Sequence, residues 1–345
     1  MITEKFYYLI LDESQNIKNP VAKRTKSICK IWAKYRLALS GTPIENNLME
    51  LWSVFNFLMP GFLGNMSHFR SKYIGKTDKE DLSYLSAKTK PFILRRTKEE
   101  ILKELPPKQV EIVKLEMWEK QKAFYTKLKT AFKLQINKEL QEQWINKARF
   151  KVLDSLLKLR QACLVPELVN MENNTLQESI KLKYLEENID DMIISGHNVL
   201  IFSQFTWFLK YVRNILEKKE IVYNYLDGQT KSKDRKDLID DFNNGNKKIF
   251  IISLKAWWTG LNLTKADYVI HLDSWWNPSV ENQATDRVHR MWQEKTVFVK
   301  KLITKDTIEE KILELQEKKK KLIENVFSWN FTWSLNKEDI DFIFE

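Results

Sequence analysis

Apolar residues in this chain follow two alternating rhythms: short unbroken runs, and longer stretches in which they recur at helical spacing. "FYYLILDES" is a continuous apolar run closing on two acids, as in a buried parallel strand that delivers a site at its C-terminal edge. "YRLALSGTP", Tyr35 to Pro43, repeats the form as a strand followed by a Ser-Gly-Thr-Pro turn. "MELWSVFNFLMPGFLG" predicts an amphipathic helix stopped by Pro60 and Gly61. "PFILRRTKEEILKELPPK" predicts a short apolar strand, then a charged helix ended by Pro106 and Pro107.

From about Trp118 to Leu168 the spacing is helical throughout, which predicts an α-helical insertion. After Ser179 the alternation resumes. A helix from Ile180 to Ser195 leads to the strand "HNVLIFSQF". Next come a helix through Lys219, the strand "IVYNYLDG", a charged helix, and the strands "KIFIISL" and "DYVIHLD". A helix over "NPSVENQATDRVHR" and the strand "TVFVKKLI" complete the series, and a long charged helix forms the tail. Strands and helices alternating at this length imply a doubly wound parallel sheet. The expected organisation is a partial first α/β lobe over 1–115, a helical insertion over 116–178, a complete second lobe over 179–310 and a helical tail over 311–345.

Charge adds a partner to this picture. A formal net charge of +11 suits a polyanion such as nucleic acid, although a lysine-rich surface from an AT-rich genome would give the same excess. Cys29 and Cys163 are the sole cysteines and form no Cys/His ligand spacing, which argues against zinc and a disulfide framework. The N-terminal residues lack the pattern of a signal peptide, and no apolar stretch is long enough to span a bilayer. A reducing, cytoplasmic setting without membrane contact is expected.

Two constellations carry candidate chemistry. Asp12 and Glu13 follow an apolar strand, the layout in which an aspartate holds Mg²⁺ and a neighbouring glutamate orients the attacking water. Acid pairs at strand ends are also common without such a role. Gln283, Arg287 and Arg290 fall at i, i+4 and i+7, so a continuous helix would place them on one face. That face could reach a γ-phosphate, or be an exposed, salt-bridged surface.

Taken in order, "LDESQNIKNP", "LALSGTPIENNLMELWSVFNFLMPGFLG", "FILRRTK", "LRQACLVPEL", "VLIFSQF", "YLDGQTKSKDR" and "TGLNLTKADYVIHLDSWWNPSVENQATDRVHR" resemble the Swi/Snf-type ATPases of helicase superfamily two. The resemblance runs from about Tyr7 to Leu315. It implies two RecA-like lobes with parallel sheets and an α-helical insertion, ATP and Mg²⁺ as cofactors, and double-stranded DNA as the track. Asp12 and Glu13 match the family's metal-binding and hydrolytic acids. Ser40, Gly41 and Thr42 match its coupling motif, and Gln283, Arg287 and Arg290 match its arginine-finger motif, with Gly260 also at the nucleotide. Ser203, Gln204, Thr259, Asn262, Trp275 and Asn277 match elements lying along DNA or at the cleft. The implied function is a double-stranded-DNA translocase or remodelling ATPase. A non-catalytic DNA-binding or regulatory module and a strand-separating helicase are the alternatives.

The sequence departs from the family pattern twice. No G-x-x-x-x-G-K-[ST] loop occurs in it, so an upstream-encoded portion of the motor is expected as partner, and the chain alone is expected to be inactive. In "SLKAWWTGLNLT", Trp257 and Trp258 stand where the family carries Gly-Gly, and Trp292 also stands at a glycine position. Trp144, Trp207, Trp329 and Trp333 likewise occupy positions suited to small or turn residues. Glycine permits φ > 0 and close backbone approach to a phosphate; tryptophan permits neither. The chain has 8 glycines and 12 tryptophans in 345 residues. That is about 2% glycine against a usual ~7%. Glycine codons of the UGA type read as tryptophan would explain both the glycine deficit and the tryptophan excess; drifted motor loops are the alternative.

Overall fold

The computed structural model describes residues 4–41, 48–74, 79–94, 96, 98–102, 104–141, 145–169, 177–254, 256, 262–275, 278–291, 293–325 and 342. The chain divides into two compact units, the first of Met1–Arg96 and Glu317–Glu338, the second of Thr97–Gln316 and Asp339–Glu345.

The first unit holds strands β1 (Phe6–Leu11) and β2 (Ala33–Ala38), joined by helix α1 (Lys23–Cys29). They pair in parallel, with Tyr8 opposite Tyr35 and Leu11 opposite Ala38. Helices α2 (Leu48–Leu58), α3 (Met66–Tyr73) and α4 (Lys79–Thr89) follow. The core is helical: Leu51, Trp52 and Phe55 of α2 pack with Phe69 and Tyr73 of α3 and Leu85 of α4. Gly61 and Gly64 take φ of 85° and 75° after α2, a turn that a side chain would strain. Trp52 donates from its indole to the Gly64 carbonyl at 3.1 Å, which ties that turn to the core.

Both sequence-expected strands form, but not as buried ones. Tyr7 is 62% exposed and Tyr8 57%, and Ile10 and Leu37 are also exposed. A two-stranded ribbon has no layers to cover its faces. The tyrosine rings pack on one another instead, Tyr8 stacking on Tyr35 with centroids 5.0 Å apart.

The second unit begins with the short helix α5 (Lys98–Ile101) and strand β3 (Lys108–Leu115). The strand expected at "PFIL" does not form; a 3₁₀ turn occupies Lys90–Phe92. The charged helix expected after it is only α5, because two prolines follow closely. Strand β3 was hidden from the apolar pattern. It reads "KQVEIVKL", an edge strand that exposes Val110 and Ile112. Strand β3 pairs into the second unit's sheet.

Helices α6 (Glu119–Gln141) and α7 (Ile145–Leu164) form the expected helical insertion. After them come α8 (Ile180–Ile194), β4 (Val199–Ser203), α9 (Thr206–Lys218), β5 (Tyr223–Leu226), α10 (Ser232–Asn243), β6 (Ile249–Ser253), β7 (Tyr268–His271), α11 (Pro278–Asp286), β8 (Val297–Thr304) and α12 (Ile308–Asn325). Six strands form one sheet in the order β3-β8-β7-β4-β6-β5, every pair parallel. Alternation along the strands builds both faces. Val199, Ile201, Ile249 and Ile251 meet α8 and α9 through Leu185, Ile189, Phe208 and Val212. Leu200, Phe202, Phe250 and Ile252 meet α10 and α11 through Phe242 and Ala284. A parallel sheet covered on both faces explains why its central strands are apolar at every position. Among the described residues, no helix is long and apolar enough to cross a membrane.

Candidate functional site

In the first unit, the site lies at the C-terminal ends of β1 and β2. The chain leaves β1 through Asp12 into Glu13, which adopts the left-handed conformation at φ 50°, ψ 52°. A non-glycine residue held there carries local strain, typically about 1–3 kcal/mol. The Glu13 amide donates to Asp12 Oδ1 at 2.8 Å, and the Ser14 amide donates to the Leu39 carbonyl at 2.8 Å. The two strand ends are thereby locked side by side.

Their side chains are linked as well. Ser40 Oγ donates to Gln15 Oε1 at 3.0 Å, and Gln15 Nε2 donates to Glu13 Oε2 at 2.6 Å. One amide thus joins the expected hydrolytic acid to the expected coupling serine. Gln15 was not among the expected site residues; its position two residues after the acid in "DESQ" was the available signal. Asp12 is exposed, and its carboxylate supplies the hard oxygen donors that Mg²⁺ takes alongside retained waters. The donor chemistry fits the ion. Gly41 is exposed, with open space where a Cβ would stand.

In the second unit, the candidate residues cluster at the C-terminal ends of β4 and β7. Ser203 is fully buried, and its Oγ accepts from the Phe205 amide at 3.1 Å. The Gln204 amide donates to Asp273 Oδ1 at 3.1 Å. Asp273 is buried, and desolvation raises its pKa against the pull of Arg160, 3.5 Å away on α7. Arg160 also donates to the Ser274 carbonyl. The helical insertion therefore braces the β7 end from beneath. Beside it, Lys181 and Glu309 form an ion pair at 2.7 Å, both fully enclosed. Lys181 also donates to the Leu272 carbonyl at 2.8 Å, and Glu309 accepts the Thr304 amide at 2.8 Å.

Trp275 is held by its backbone. Its amide donates to Glu281 Oε1, its carbonyl accepts from Gln316, and Lys301 pairs with the other Glu281 oxygen at 2.6 Å. Its ring packs partly buried against the core. Asn262 is exposed, and its carbonyl accepts from Asn243 at 3.0 Å. His271 stacks on Phe202 and contacts Thr285 Oγ1 at 3.3 Å; burial pushes its pKa down to about 4.

The arginines depart from the expected arrangement. Helix α11 ends at Asp286, so Gln283 is helical while Arg287 and Arg290 sit in the turns beyond. The Arg287 amide bonds to Ala284 and the Arg290 amide to Val288, which tightens and then ends the helix. The two guanidinium groups are close enough that burial, then Arg287, lowers the pKa of Arg290. The single helical face read from the i, i+4, i+7 spacing is therefore a helix end followed by a compact cationic turn. Thr42, Thr259, Gly260 and Asn277 lie outside the described residues, as do Trp257, Trp258 and Trp292.

The SNF2-related domain family matches residues 2–168, and the helicase conserved C-terminal domain family matches residues 180–291. An uncharacterized ATP-dependent helicase of Mycoplasma pneumoniae is 38% identical over 345 residues, covering 99% of this chain and 33% of its own. The putative ATP-dependent helicase/translocase YwqA of Bacillus subtilis is 37% identical, covering 97% of this chain and 37% of its own. The chain thus spans about a third of the length of these curated relatives. The Sulfolobus solfataricus SWI2/SNF2 ATPase core solved in complex with dsDNA is 37% identical with a TM-score of 0.57, covering 97% of this chain and 72% of that one.

Proposed function

Because this chain belongs to the Swi/Snf-type ATPases of helicase superfamily two, we propose that it is the part of a double-stranded-DNA translocase that hydrolyses ATP and converts hydrolysis into movement. The observation that carries this reading is the hydrogen-bond chain Ser40–Gln15–Glu13. It joins the residue assigned to orient water to the turn assigned to sense DNA. A shift of about an ångström at either end would be felt at the other, the scale on which misplacement costs rate.

In this reading Asp12 holds Mg²⁺ with waters between, with Glu13 beside it. When bound, the ion neutralises charge on the phosphates. Arg287 and Arg290 stabilise charge on the transferring phosphoryl group, while Gln283 and Gly260 contact the nucleotide. Gln204, Thr259, Asn262, Trp275 and Asn277 lie along DNA. Ser203 acts from within, as the cap of the turn that carries Gln204.

The sequence contains no G-x-x-x-x-G-K-[ST] loop. An upstream-encoded portion of the motor therefore supplies the phosphate cradle, and the chain by itself binds ATP weakly. The exposed tyrosine-rich faces of β1 and β2 support such a covering portion. The same missing loop favours a second reading, a non-catalytic DNA-binding module. The test is triplex displacement on duplex DNA by the chain joined to a polypeptide supplying the loop. ATP-dependent displacement is expected. DNA binding without ATP use would establish the second reading, and unwinding of a forked duplex would make the protein a strand-separating helicase.

A further inference from the structure

Helix α11 stops at Asp286, and the next amides bond locally: Arg290 to Val288, and Gln293 to Arg290. In a continuing helix, Arg290 would take the Asp286 carbonyl and Gln293 the His289 carbonyl. Among the described residues, no backbone amide takes either carbonyl. Both are taken by one ammonium group from far away in sequence: Lys98 Nζ donates to the Asp286 carbonyl at 3.2 Å and to the His289 carbonyl at 2.9 Å. A lysine at a helix C-terminus also meets the negative end of the helix dipole.

Other contacts fix the same two segments together. Lys98 and Lys108 approach Asp286 Oδ1 at 3.3 and 3.5 Å. His289 Nε2 lies 2.7 Å from the Pro106 carbonyl; a carbonyl only accepts, so that nitrogen carries the proton. Residues 98–108 are thus sewn along the turn bearing Arg287 and Arg290. Asp286 is shared by two lysines and also acts electrostatically on Arg290.

We propose that Lys98 is a positioning residue for the arginine turn, holding Arg287 and Arg290 in place by bonding the carbonyls on either side of Arg287. Lys98 stands two positions beyond Arg96, where the first unit's N-terminal segment ends. That positioning role rests on the reading that the two arginines face nucleotide, but the tether itself does not.

The test uses the full chain without ATP or DNA, so an inactive chain leaves it intact. Amide hydrogen exchange and the Nε–H signals of ¹⁵N-labelled arginine are recorded for the parent, Lys98→Met and Lys98→Arg. In Lys98→Met, exchange over 287–290 is expected to rise about tenfold, the loss of a hydrogen bond to a charged donor. The β4 and β6 amides should keep their protection, and the Arg287 and Arg290 signals should move or broaden. Lys98→Arg, which keeps charge and donors, should restore most of both. Lys108→Met removes one ion pair and no carbonyl bond, so exchange over 287–290 should stay within about twofold of the parent, which is the reading that serves if Lys98→Met fails to fold; a rise of about tenfold in Lys108→Met overturns the assignment. So do unchanged turn exchange and arginine signals in Lys98→Met.

Discussion

The working claim about hydrolysis depends at the residue scale on a single amide. Gln15 donates to Glu13 from its amide nitrogen and accepts from Ser40 at its amide oxygen, so one side chain serves both. Gln15→Glu replaces the donor with a second carboxylate beside Glu13. Loss of roughly 10- to 100-fold in DNA-stimulated turnover is expected in a motor complemented with the phosphate loop, with little change in duplex affinity. Turnover and filter binding measured on the same preparation check this. The sequence places the acids at a strand end, but the partner of each acid depends on the second strand and could not be read from spacing. The tryptophans divide at this scale too. Trp52 and Trp275 have partners that explain them, whereas Trp207, in the first turn of α9, is 67% exposed under a lysine 3.9 Å from its ring centroid. Peptide sequencing of the natural protein by mass spectrometry is expected to read glycine at 257, 258 and 292; tryptophan there would sink the recoding.

At the scale of elements, the second sheet is the most legible part. Its central strands are continuous apolar runs because helices cover both faces, so the runs announced them. Strand β3 escaped because an edge strand needs no such run, and its pairing with β8 joins residues far apart in sequence. The arginine helix misled for another reason: periodicity marks a face but not the point where hydrogen bonding stops. Helix α8 is tied to α12 by buried charge. Lys181→Met leaves Glu309 enclosed without its cation, and about 3–5 kcal/mol of stability should be lost in urea unfolding. Adding Glu309→Gln, which still accepts from Thr304, should recover part of it. His271 makes the same region acid-sensitive. Its folded pKa of about 4 lies below the unfolded ~6.5, so the unfolded chain binds more protons between those values. Stability is full above about pH 6.5 and falls as pH drops toward 4, by about 3 kcal/mol from this group. His271→Phe should remove that slope in pH-dependent unfolding, and an unchanged slope would assign it elsewhere.

For the whole molecule, the two units differ in how completely they cover their own sheets. The second encloses a six-stranded sheet between helices, while the first leaves one face of its two-stranded ribbon exposed and the other, bearing Leu9, Leu11, Arg36 and Ala38, half-buried. With no G-x-x-x-x-G-K-[ST] loop in this sequence, we propose that the chain carries the hydrolytic acids, the coupling turn and the arginine turn and works with a loop encoded elsewhere. The most direct measurement is ATP hydrolysis by the purified chain with and without duplex DNA, alone and joined to a polypeptide bearing G-x-x-x-x-G-K-[ST]. The account predicts no turnover alone, and duplex-stimulated turnover when joined that Glu13→Gln abolishes. Duplex-stimulated hydrolysis by the chain alone, or by the joined Glu13→Gln variant, would contradict it.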